Sequence, residues 1–329
     1  MPSSLVTVVT PVHNGAAHLA ECVESVLAQT YDNWQHVIVD NCSSDRTPEI
    51  ARSYARRDER IRYLRHDEFV EVVASYNRAF RVAAASEGSF CKLLGADDWL
   101  YPECLERMVD LAERHPSVGL VTAYRVKNGK VDLADLPPGV DFAPGHEVLA
   151  ASLLRRISVI GSPTSILLRS DLVRRRDPFY DESFRHADTE AAYWVLTQSD
   201  FALVHRVVTF SRSSERSQSS ISTGLNSHRA ERVRMVLRYG PGCLSRRDYR
   251  RQLRRELAQY VYWHVKQRAK PSRRSDHAFQ DFHRRAVELI RAEGSDDADV
   301  RRATALVARL LRPPVAFRQA AGRKLSAEG

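Results

Sequence analysis

The chain has 329 residues with a formal net charge of +9, and 43% of its residues are hydrophobic. This length and composition are typical of a globular protein with a large core, and no run approaches the roughly 20 apolar residues of a membrane span. Its five cysteines are scattered and form no C-x-x-C pair, so they support neither a disulfide framework nor a cysteine zinc site and favour a reducing, cytoplasmic compartment.

Strand and helix patterns alternate along about the first 125 residues. A β-rich run stops at Pro11, and apolar residues at helical spacing follow from Leu19. Thr47 is predicted to cap a later helix, with Pro48 at its first position. Repeated strand–helix–strand units predict an α/β fold, with a mostly parallel sheet and helices on both faces. The predicted strands are residues 5–10, 36–40, 61–64, 89–94 and 118–122, and the predicted helices are 19–27, 47 onward, 72–85 and 102 onward.

Composition divides the rest of the chain. Residues 127–146 are rich in Gly, Pro and Asp and are predicted to be a loop or an insertion. Residues 211–227 are rich in Ser and Arg and are predicted to be a loop. Residues 1–227 carry a net charge of −5, whereas residues 228–329 are helical in pattern and carry +14. We therefore predict a catalytic or binding domain over 1–227 and a basic helical region over 228–329. Further strands are predicted at 165–168, 201–204 and 207–210, with a helix at 188–198.

The stretch Gly95-Ala96-Asp97-Asp98 follows a short apolar run that is predicted to be a buried strand. Adjacent carboxylates are unfavourable in apolar surroundings unless a positive group lies near them. A divalent cation that carries substrate phosphates is one candidate, since Mg²⁺-type ions take one or two carboxylates plus phosphate oxygens. The alternative is a solvated turn that caps the following helix.

Polar clusters follow three of the predicted strands, at residues 10–14, 40–45 and 97–98. Open α/β sheets bind ligands beyond the carboxyl ends of their strands, so these clusters are expected to share one crevice. Such a crevice has hydrogen-bonding groups that could bind a nucleobase, a ribose and a diphosphate-bound metal. Asp40 is the candidate for the contact with the nucleobase.

Five segments in this order resemble glycosyltransferase family 2, the inverting enzymes with the GT-A fold, over about residues 4–220. The resemblance implies a Rossmann-like sheet flanked by helices, here with an α-helical C-terminal extension. The matching segments are Val8–Asn14, Leu27–Tyr31, Val37–Thr47, Gly95–Pro102 and Phe179–Phe184.

The resemblance also implies the nucleotide site. Asp40 would accept a hydrogen bond from the base, and Asp45 would close the same pocket. The family's aspartate-any-aspartate motif falls on Gly95-Ala96-Asp97, so Asp97 would bind Mn²⁺ or Mg²⁺ with Asp98 beside it. Gly95 departs from the motif, which puts the ribose contact in doubt. The residues expected to line the nucleotide are Thr10, Pro11, Asn14, Asp40, Asp45, Arg78, Ala96 and Asp97.

The family's catalytic base lies at the amino end of a helix, and Asp188 takes that place here. An aspartate at a helix start is also an ordinary cap. Ala187 departs from the family's common glutamate, and Glu190 is the second candidate for the base.

The implied activity is inverting, metal-dependent hexosyl transfer from a nucleoside-diphosphate sugar, most often a UDP-sugar, to a glycan or lipid-linked acceptor in bacterial polysaccharide, glycolipid or cell-surface glycan synthesis. The alternative is a catalytically inactive nucleotide-sugar-binding or scaffold protein of the same fold. A nucleotidyltransferase is disfavoured because no glycine-rich loop with a lysine follows the first strand. A dinucleotide enzyme is disfavoured because G-x-G-x-x-G is absent there.

The basic region at 228–329 has three interpretations: a solvated helical face, a surface for peripheral association with the anionic inner face of the plasma membrane, or a contact for homo-oligomerisation. No nucleic-acid-binding motif accompanies the charge, so nucleic acid is not an expected partner.

Overall fold

A computed structural model describes residues 4–133, 137, 139–158, 160–212, 224–274 and 276–311, with the side chains of residues 268, 271 and 274 left aside. The chain forms two compact units, Met1–Gln218 and Ser219–Gly329.

The first unit is a ten-stranded sheet with helices, counted over its described residues. The strands are β1 (Val6–Val12), β2 (Trp34–Asn41), β3 (Ile61–His66), β4 (Phe90–Leu93), β5 (Trp99–Leu100), β6 (Val118–Lys127), β7 (Lys130–Asp132), β8 (Phe142–Ala143), β9 (Ile166–Arg169) and β10 (Asp200–Ser211). The helices are α1 (Leu19–Leu27), α2 (Thr47–Ala55), α3 (Val72–Ala84), α4 (Cys104–Arg114), α5 (Gly145–Leu153), α6 (Ser170–Arg174) and α7 (Ala187–Leu196), and a 3₁₀ turn spans Pro163–Ser165.

The strand order is β3-β2-β1-β4-β9-β6-β10-β5, with β7 beside β6 and β8 beside β10. Strands β1, β2, β3 and β4 pair in parallel, as do β6 and β10. Because β9 runs antiparallel to both β4 and β6, the six long or central strands β1–β4, β6 and β10 all point the same way. The predicted α/β fold is confirmed, and the carboxyl ends of these six strands lie at one edge of the sheet.

The core of this unit forms where apolar strands are covered by amphipathic helices. Every residue of β1 is buried, as expected for a strand inside a sheet that is covered on both faces. Helix α1 buries Leu19, Cys22, Val23 and Val26, which recur at helical spacing. Burying each such side chain contributes about 1.5–3 kcal/mol.

Three expectations from the sequence are wrong in detail. The stretch 127–146 holds β7, β8 and the start of α5 besides loop. The two predicted strands at 201–204 and 207–210 are one strand, β10, whose register shifts between Val204 and Val207. Thr47 does not cap α2: the helix begins at Thr47, and its hydroxyl accepts a hydrogen bond from the Gly15 amide instead.

The second unit is helical across its described residues, as predicted. Its helices are α8 (Ser227–Cys243), α9 (Arg246–Arg268), α10 (Pro271–Arg274), α11 (His277–Glu293) and α12 (Ala298–Leu310). Its core includes an aromatic cluster in which the rings of His264 and His283 lie 4.5 Å apart, beside Tyr260, Trp263 and Phe279. In the described part of the chain, no helix combines the length and apolar character needed to cross a membrane.

Candidate functional site

The loops after β1 and β2 are joined by Asn14. This residue adopts a left-handed backbone (φ 51°), which asparagine tolerates well. Its side-chain oxygen accepts hydrogen bonds from the backbone amides of Ser44 (2.8 Å) and Asp45 (3.3 Å). Its own amide donates to the Ser43 hydroxyl at 2.9 Å. Asn14 therefore fixes the shape of the crevice wall that the sequence predicts.

Asp45 ties the same two loops together from the other side. Its carboxylate accepts from the amides of Ala16 (3.1 Å) and Thr47 (2.9 Å). Slight burial raises its pKa, but hydrogen bonds from Thr47 and Ala16 outweigh this, so the pKa of Asp45 lies below its ordinary value. The carboxylate is ionised and exposed near neutral pH.

The β1 loop also contacts the loop after β4. A β-carbon at Gly15 would lie 2.5 Å from a methyl carbon of Val12 and 3.6 Å from the β-carbon of Ala96. Glycine is therefore required for this close approach. The structure thus brings Asn14, Asp45 and Ala96 to one edge of the sheet.

Asp40 is at the end of β2 and is fully buried. One carboxylate oxygen accepts from the Ser43 amide at 2.9 Å. The other accepts from the Tyr63 hydroxyl (2.6 Å) and from the Arg65 guanidinium (3.3 Å). A base that hydrogen-bonds to Asp40 must share these oxygens with Tyr63 and Arg65 or displace them, and the base contact stays a prediction.

Thr10 and Pro11 are also buried. The Thr10 hydroxyl lies 2.8 Å from Nε2 of His36, and neither residue has exposed surface. Burial lowers the pKa of His36 to about 3, so this ring is neutral. The Thr10 side chain faces the core, and any contact of Thr10 with a nucleotide has to come from its backbone.

Arg78 of α3 supports the loop after β3. Its guanidinium donates to the Glu68 carbonyl oxygen (2.8 Å) and to the side-chain oxygen of Asn41 (3.4 Å). Arg78 therefore borders the β2 end of the crevice while holding the chain that follows β3.

The two carboxylates after β4 have different surroundings. Asp98 is 8% exposed, and its oxygens accept from the Thr164 hydroxyl, the Ser211 hydroxyl and the Arg212 amide. Burial and then the neighbouring charge of Asp97 raise the pKa of Asp98 to about 6, against the hydrogen bonds that lower it. Asp97 is partly exposed, and its carboxylate has no hydrogen-bond or ion-pair partner among the described residues.

The interpretation of this stretch as a solvated helix cap is wrong. Asp98 is buried, β5 follows it, and α4 begins only at Cys104. The loop therefore presents one free carboxylate, that of Asp97. The hydrogen bonds of the neighbouring Asp98 hold the loop in place.

Thr164 also belongs to this site. It ends the stretch Gly161–Thr164, for which the sequence leaves two interpretations open, a family segment that faces the acceptor and a plain turn. Besides donating to Asp98, its hydroxyl accepts from the Gly95 amide at 3.1 Å. The buried ammonium of Lys92 donates to the carbonyl oxygens of Thr164 (2.6 Å) and Ile166 (3.2 Å). Only tertiary structure joins these residues, since about 70 positions separate Thr164 from the loop after β4.

Arg212, at the end of β10, lies against the same loop. Its guanidinium donates to the Asp97 carbonyl oxygen (3.2 Å) and to the Glu21 carboxylate (2.8 Å), and it lies over the Trp99 ring. The one signal in the sequence is its position at the start of a Ser/Arg-rich stretch, most of which lies outside the described residues. Arg212 places a cation beside Asp97.

Asp188 lies in the first turn of α7, where His186 is the N-cap residue, so Asp188 does not cap the helix. It lines a small cavity with Leu93, the last residue of β4, and with Pro163, which precedes Thr164. Glu190, the second candidate base, is 1% exposed and pairs with Arg176 at 2.7 Å. The structure therefore favours Asp188 over Glu190 as the carboxylate near the β4 loop.

Tyr76 of α3 links the two sets of carboxylates. Its pKa is raised above the ordinary value by burial first and then by the negative charges of Asp98, Asp97 and Asp188. These three carboxylates therefore lie close enough to one hydroxyl to act on it together. Together with the cavity that Asp188 shares with Leu93, this effect on Tyr76 indicates that Asp188 lies toward the loop of Asp97 and Asp98, although some 90 residues separate them in the chain.

A metal ion at this site would need ligands from its substrate. Among the described residues, no group of three or more His, Cys, Asp or Glu side chains could hold a metal. The free Asp97 carboxylate nevertheless fits Mg²⁺-type ions, which are commonly held by one or two carboxylates plus substrate phosphates. The donor set is oxygen only, as such hard cations prefer.

Comparison with known proteins identifies relatives by sequence. The putative glycosyltransferase EpsE of Bacillus subtilis is 28% identical over 222 residues, which cover 63% of this chain and 77% of EpsE. The putative teichuronic acid biosynthesis glycosyltransferase TuaG of the same organism is 31% identical over 120 residues, 36% of this chain and 46% of TuaG. An uncharacterised protein of Sinorhizobium fredii, y4gI, is 36% identical over 121 residues, but this match spans only 13% of its length.

Solved structures share the fold. Residues 1–349 of TarS from S. aureus superimpose with a TM-score of 0.61 at 15% identity, covering 96% of this chain and 91% of that one. The mannosyltransferase PcManGT of Pyrobaculum calidifontis, solved with GDP-Man and Mn²⁺, gives a TM-score of 0.53 at 16% identity, covering 93% and 84%. These likenesses show a GT-A fold.

The family model for glycosyl transferase family 2 matches residues 7–176, which is half of the chain. That range includes all of β1 except Val6, the strands β2–β9, and the carboxylate loop after β4. On this match, the chain belongs to glycosyltransferase family 2.

Proposed function

We propose that this protein is an inverting, metal-dependent glycosyltransferase that moves a hexose from a nucleoside-diphosphate sugar, a UDP-sugar in the first instance, to an acceptor hydroxyl. The observation that carries the proposal is that Asp188 lines a cavity with Leu93, the last residue of the strand that leads to Asp97. The same cavity includes Pro163, the neighbour of the Thr164 that holds the Asp97 loop. One free carboxylate beside a crevice and a second carboxylate near it are what direct displacement at an anomeric carbon requires.

The donor assignment rests on the site and on its structural neighbours. The loops after β1, β2 and β4 are hydrogen-bonded or packed together through Asn14, Asp45 and Gly15. TarS has been solved with UDP and with UDP-GlcNAc, and PcManGT with GDP-Man. We assign the nucleotide to the crevice lined by Thr10, Pro11, Asn14, Asp40, Asp45, Arg78, Ala96 and Asp97.

Asp97 would hold the divalent cation, Mn²⁺ or Mg²⁺, together with the donor's phosphate oxygens, and Asp98 would support it from behind. When bound, the cation neutralises charge on the departing diphosphate. Thr164 and Lys92 fix the loop that carries Asp97, and Arg212 adds positive charge beside it.

Asp188 accepts the proton of the acceptor hydroxyl as that oxygen attacks the anomeric carbon. A carboxylate is a weak base toward an alcohol, so the proton moves late, when the bond to the sugar is largely formed. A single displacement inverts the anomeric configuration and needs no enzyme nucleophile.

We further propose that the acceptor is a growing cell-surface glycan or a lipid-linked glycan. TuaG is named for teichuronic acid biosynthesis, and RfbC of Myxococcus xanthus, 34% identical over 119 residues and matched over 9% of its length, for O-antigen biosynthesis. All five cysteines are free thiols, which supports a cytoplasmic location. The charge of the 228–329 region supports peripheral contact with an anionic membrane; self-association remains the competing role for that region.

The test is turnover of UDP-sugars with Mn²⁺, measured for the wild type, Asp188→Asn and Asp97→Asn. We expect Asp188→Asn to lower kcat by about 10²–10⁴-fold while UDP–Mn²⁺ binding is retained, because only proton removal is lost. Asp97→Asn is expected to weaken Mn²⁺-dependent UDP binding itself.

Asp177→Asn is the matched control, since Asp177 forms an exposed ion pair with Arg81. If Asp188→Asn turned over UDP-sugars at the wild-type rate, Asp188 would not be the catalytic base. Tight UDP-sugar binding by the wild type without any turnover would instead establish the inactive binding protein.

A further inference from the structure

Helix α9 of the second unit has one face in the core. Leu253, Leu257, Tyr260, Trp263 and His264 are all at most 8% exposed. They recur at the three- and four-residue spacing of a helix face. This anchoring fixes which side of α9 is turned to solvent.

The opposite face of α9 is an exposed stripe. At 100° per residue its members fall within an arc of about 120° and extend over about 28 Å of helix. Two apolar side chains of the stripe, Tyr262 and Val265, are 59% and 51% exposed. The stripe consists of Arg247, Arg251, Arg254, Arg255, Ala258, Tyr262, Val265 and Lys266.

No exposed acid neutralises this stripe within α9. The helix has two acids: Glu256 is buried and pairs with Arg232, and Asp248 is partly buried and bonded to Ser245. Among the residues that the structure describes, Arg251 and Arg255 take part in no ion pair. Arg254 of the stripe pairs with Asp299 of α12 at 2.7 Å.

Helix α11 of the same unit differs from α9 in the charges that it exposes. There the exposed arginines Arg284, Arg285 and Arg291 share the helix with the exposed acids Asp281 and Glu288. Helix α11 thus exposes charges of both signs, whereas the α9 stripe exposes charges of one sign.

We propose that the α9 stripe is the surface that docks this protein on a membrane rich in anionic phospholipid. Arginine guanidinium groups match phosphate headgroups, and a helix with basic residues and exposed aromatic and aliphatic side chains on one face suits the interface. The inference rests on the proposed membrane association and is independent of glycosyl transfer.

Two residues favour a lipid surface over a soluble polyanion. Val265 and Tyr262 are one turn apart, and Lys266 lies 4.8 Å from the Tyr262 ring centre. Binding to a soluble polyanion would leave the Val265 side chain in water. Binding at the boundary between headgroups and acyl chains would bury it.

The experiment is sedimentation of the full chain with vesicles of phosphatidylcholine, with and without phosphatidylglycerol. We expect binding only to the anionic vesicles and a fall in binding with added salt. The triple variant R251Q/R255Q/K266Q should lose at least about tenfold in vesicle affinity, since each basic residue near the surface adds to binding. Y262S/V265S should weaken the binding that remains at high salt.

The matched control is R284Q/R285Q/R291Q, which removes the same charge from α11, and it should change vesicle affinity by less than about threefold. Unfolding midpoints and UDP-sugar turnover in solution, measured for both triples, separate this inference from loss of folding and from failure of the proposed chemistry. Equal loss in both triples would overturn the stripe as the docking surface. So would wild-type vesicle binding by R251Q/R255Q/K266Q, or tighter binding of the protein to a single-stranded oligonucleotide than to anionic vesicles.

Discussion

Two adjacent carboxylates, Asp97 and Asp98, differ in burial and in hydrogen bonding. Asp98 accepts three hydrogen bonds in a buried place, whereas Asp97 has no such partner among the described residues. Gly95 belongs to the same arrangement, because a β-carbon there would lie 3.0 Å from an Asp98 oxygen. The glycine that departs from the family's motif is thus explained by packing against a carboxylate that is already held.

Thr164 offers the sharpest test of this residue-scale arrangement. Thr164→Val removes a donor to buried Asp98 and an acceptor for the Gly95 amide. We expect the free energy of unfolding to fall by about 2–3 kcal/mol, because a charged buried group loses a hydrogen bond. Urea unfolding measures this change.

Thr164→Ser is the control, because it keeps the hydroxyl and should cost at most about 1 kcal/mol. If valine and serine destabilise the protein equally, the hydroxyl does not hold the carboxylate loop.

At the scale of elements, α3 is fastened to the segment that leads to α7. Asn77 is 1% exposed. Its side-chain NH₂ group donates to the Tyr180 carbonyl oxygen (2.9 Å) and to the Glu182 carboxylate (3.1 Å). Its side-chain oxygen accepts from the Tyr180 backbone amide (2.8 Å). One side chain therefore satisfies both backbone groups of Tyr180 and fixes the approach to Asp188.

Asn77→Ala should lower the free energy of unfolding by about 2–4 kcal/mol, because it leaves the buried backbone groups of Tyr180 without partners. Chemical denaturation followed by circular dichroism measures it. Gln198→Ala, at an exposed position, should stay within about 0.5 kcal/mol of the wild type. A cost for Asn77→Ala no larger than that of the control would contradict the role of Asn77.

The elements themselves were largely predictable. Strands β1 and β2 and helix α1 have the period and the flanking residues of their classes, and the structure places them within one or two residues of the prediction. β5 is only two residues long, and the pairing of its Trp99 with Phe210 of β10 joins positions 111 residues apart, so local pattern does not indicate it. The shift between Val204 and Val207 breaks the alternation in β10, which is why one strand looked like two.

The sequence predicts that the polar clusters share one crevice, but it does not predict the side-chain contacts that shape the candidate site. Motif order indicates Asp97 and Asp188 as candidates, and their functions stay predictions. That Thr10 and Asp40 are buried, and that Lys92 reaches the Thr164 carbonyl, depends on strand neighbours that no local pattern specifies.

At the scale of the whole molecule, buried neutral histidines occur in both units. Burial lowers the pKa of His36 to about 3, of His264 to about 2 and of His283 to about 4. The unfolded chain has the ordinary value near 6.5 and so binds more protons than the folded one below that pH. Stability is therefore present above about pH 6.5 and is lost as the pH falls from there toward the folded values.

Between pH 7 and pH 5 this loss is about 2 kcal/mol for each independent histidine, at 1.36 kcal/mol per pKa unit. His264→Phe should remove part of it, since Nε2 of His264 has no hydrogen-bond partner among the described residues and the ring lies in an aromatic cluster. Urea unfolding at the two pH values, with exposed His277→Phe as the control, gives the difference. Acid sensitivity unchanged by His264→Phe would show that His264 is protonated in the folded state.

The place of β9 between β4 and β6 has a consequence for how the chain is made. Strand β4 is complete once Leu93 has been translated, but β9, the strand that pairs with it, starts only at Ile166. The last strand of the sheet, β10, ends at Ser211. The nascent sheet thus keeps an open, apolar edge while more than 70 further residues are translated, and such edges invite intermolecular pairing. Overproduction should favour aggregation of this unit, and co-expressed chaperones should raise its yield.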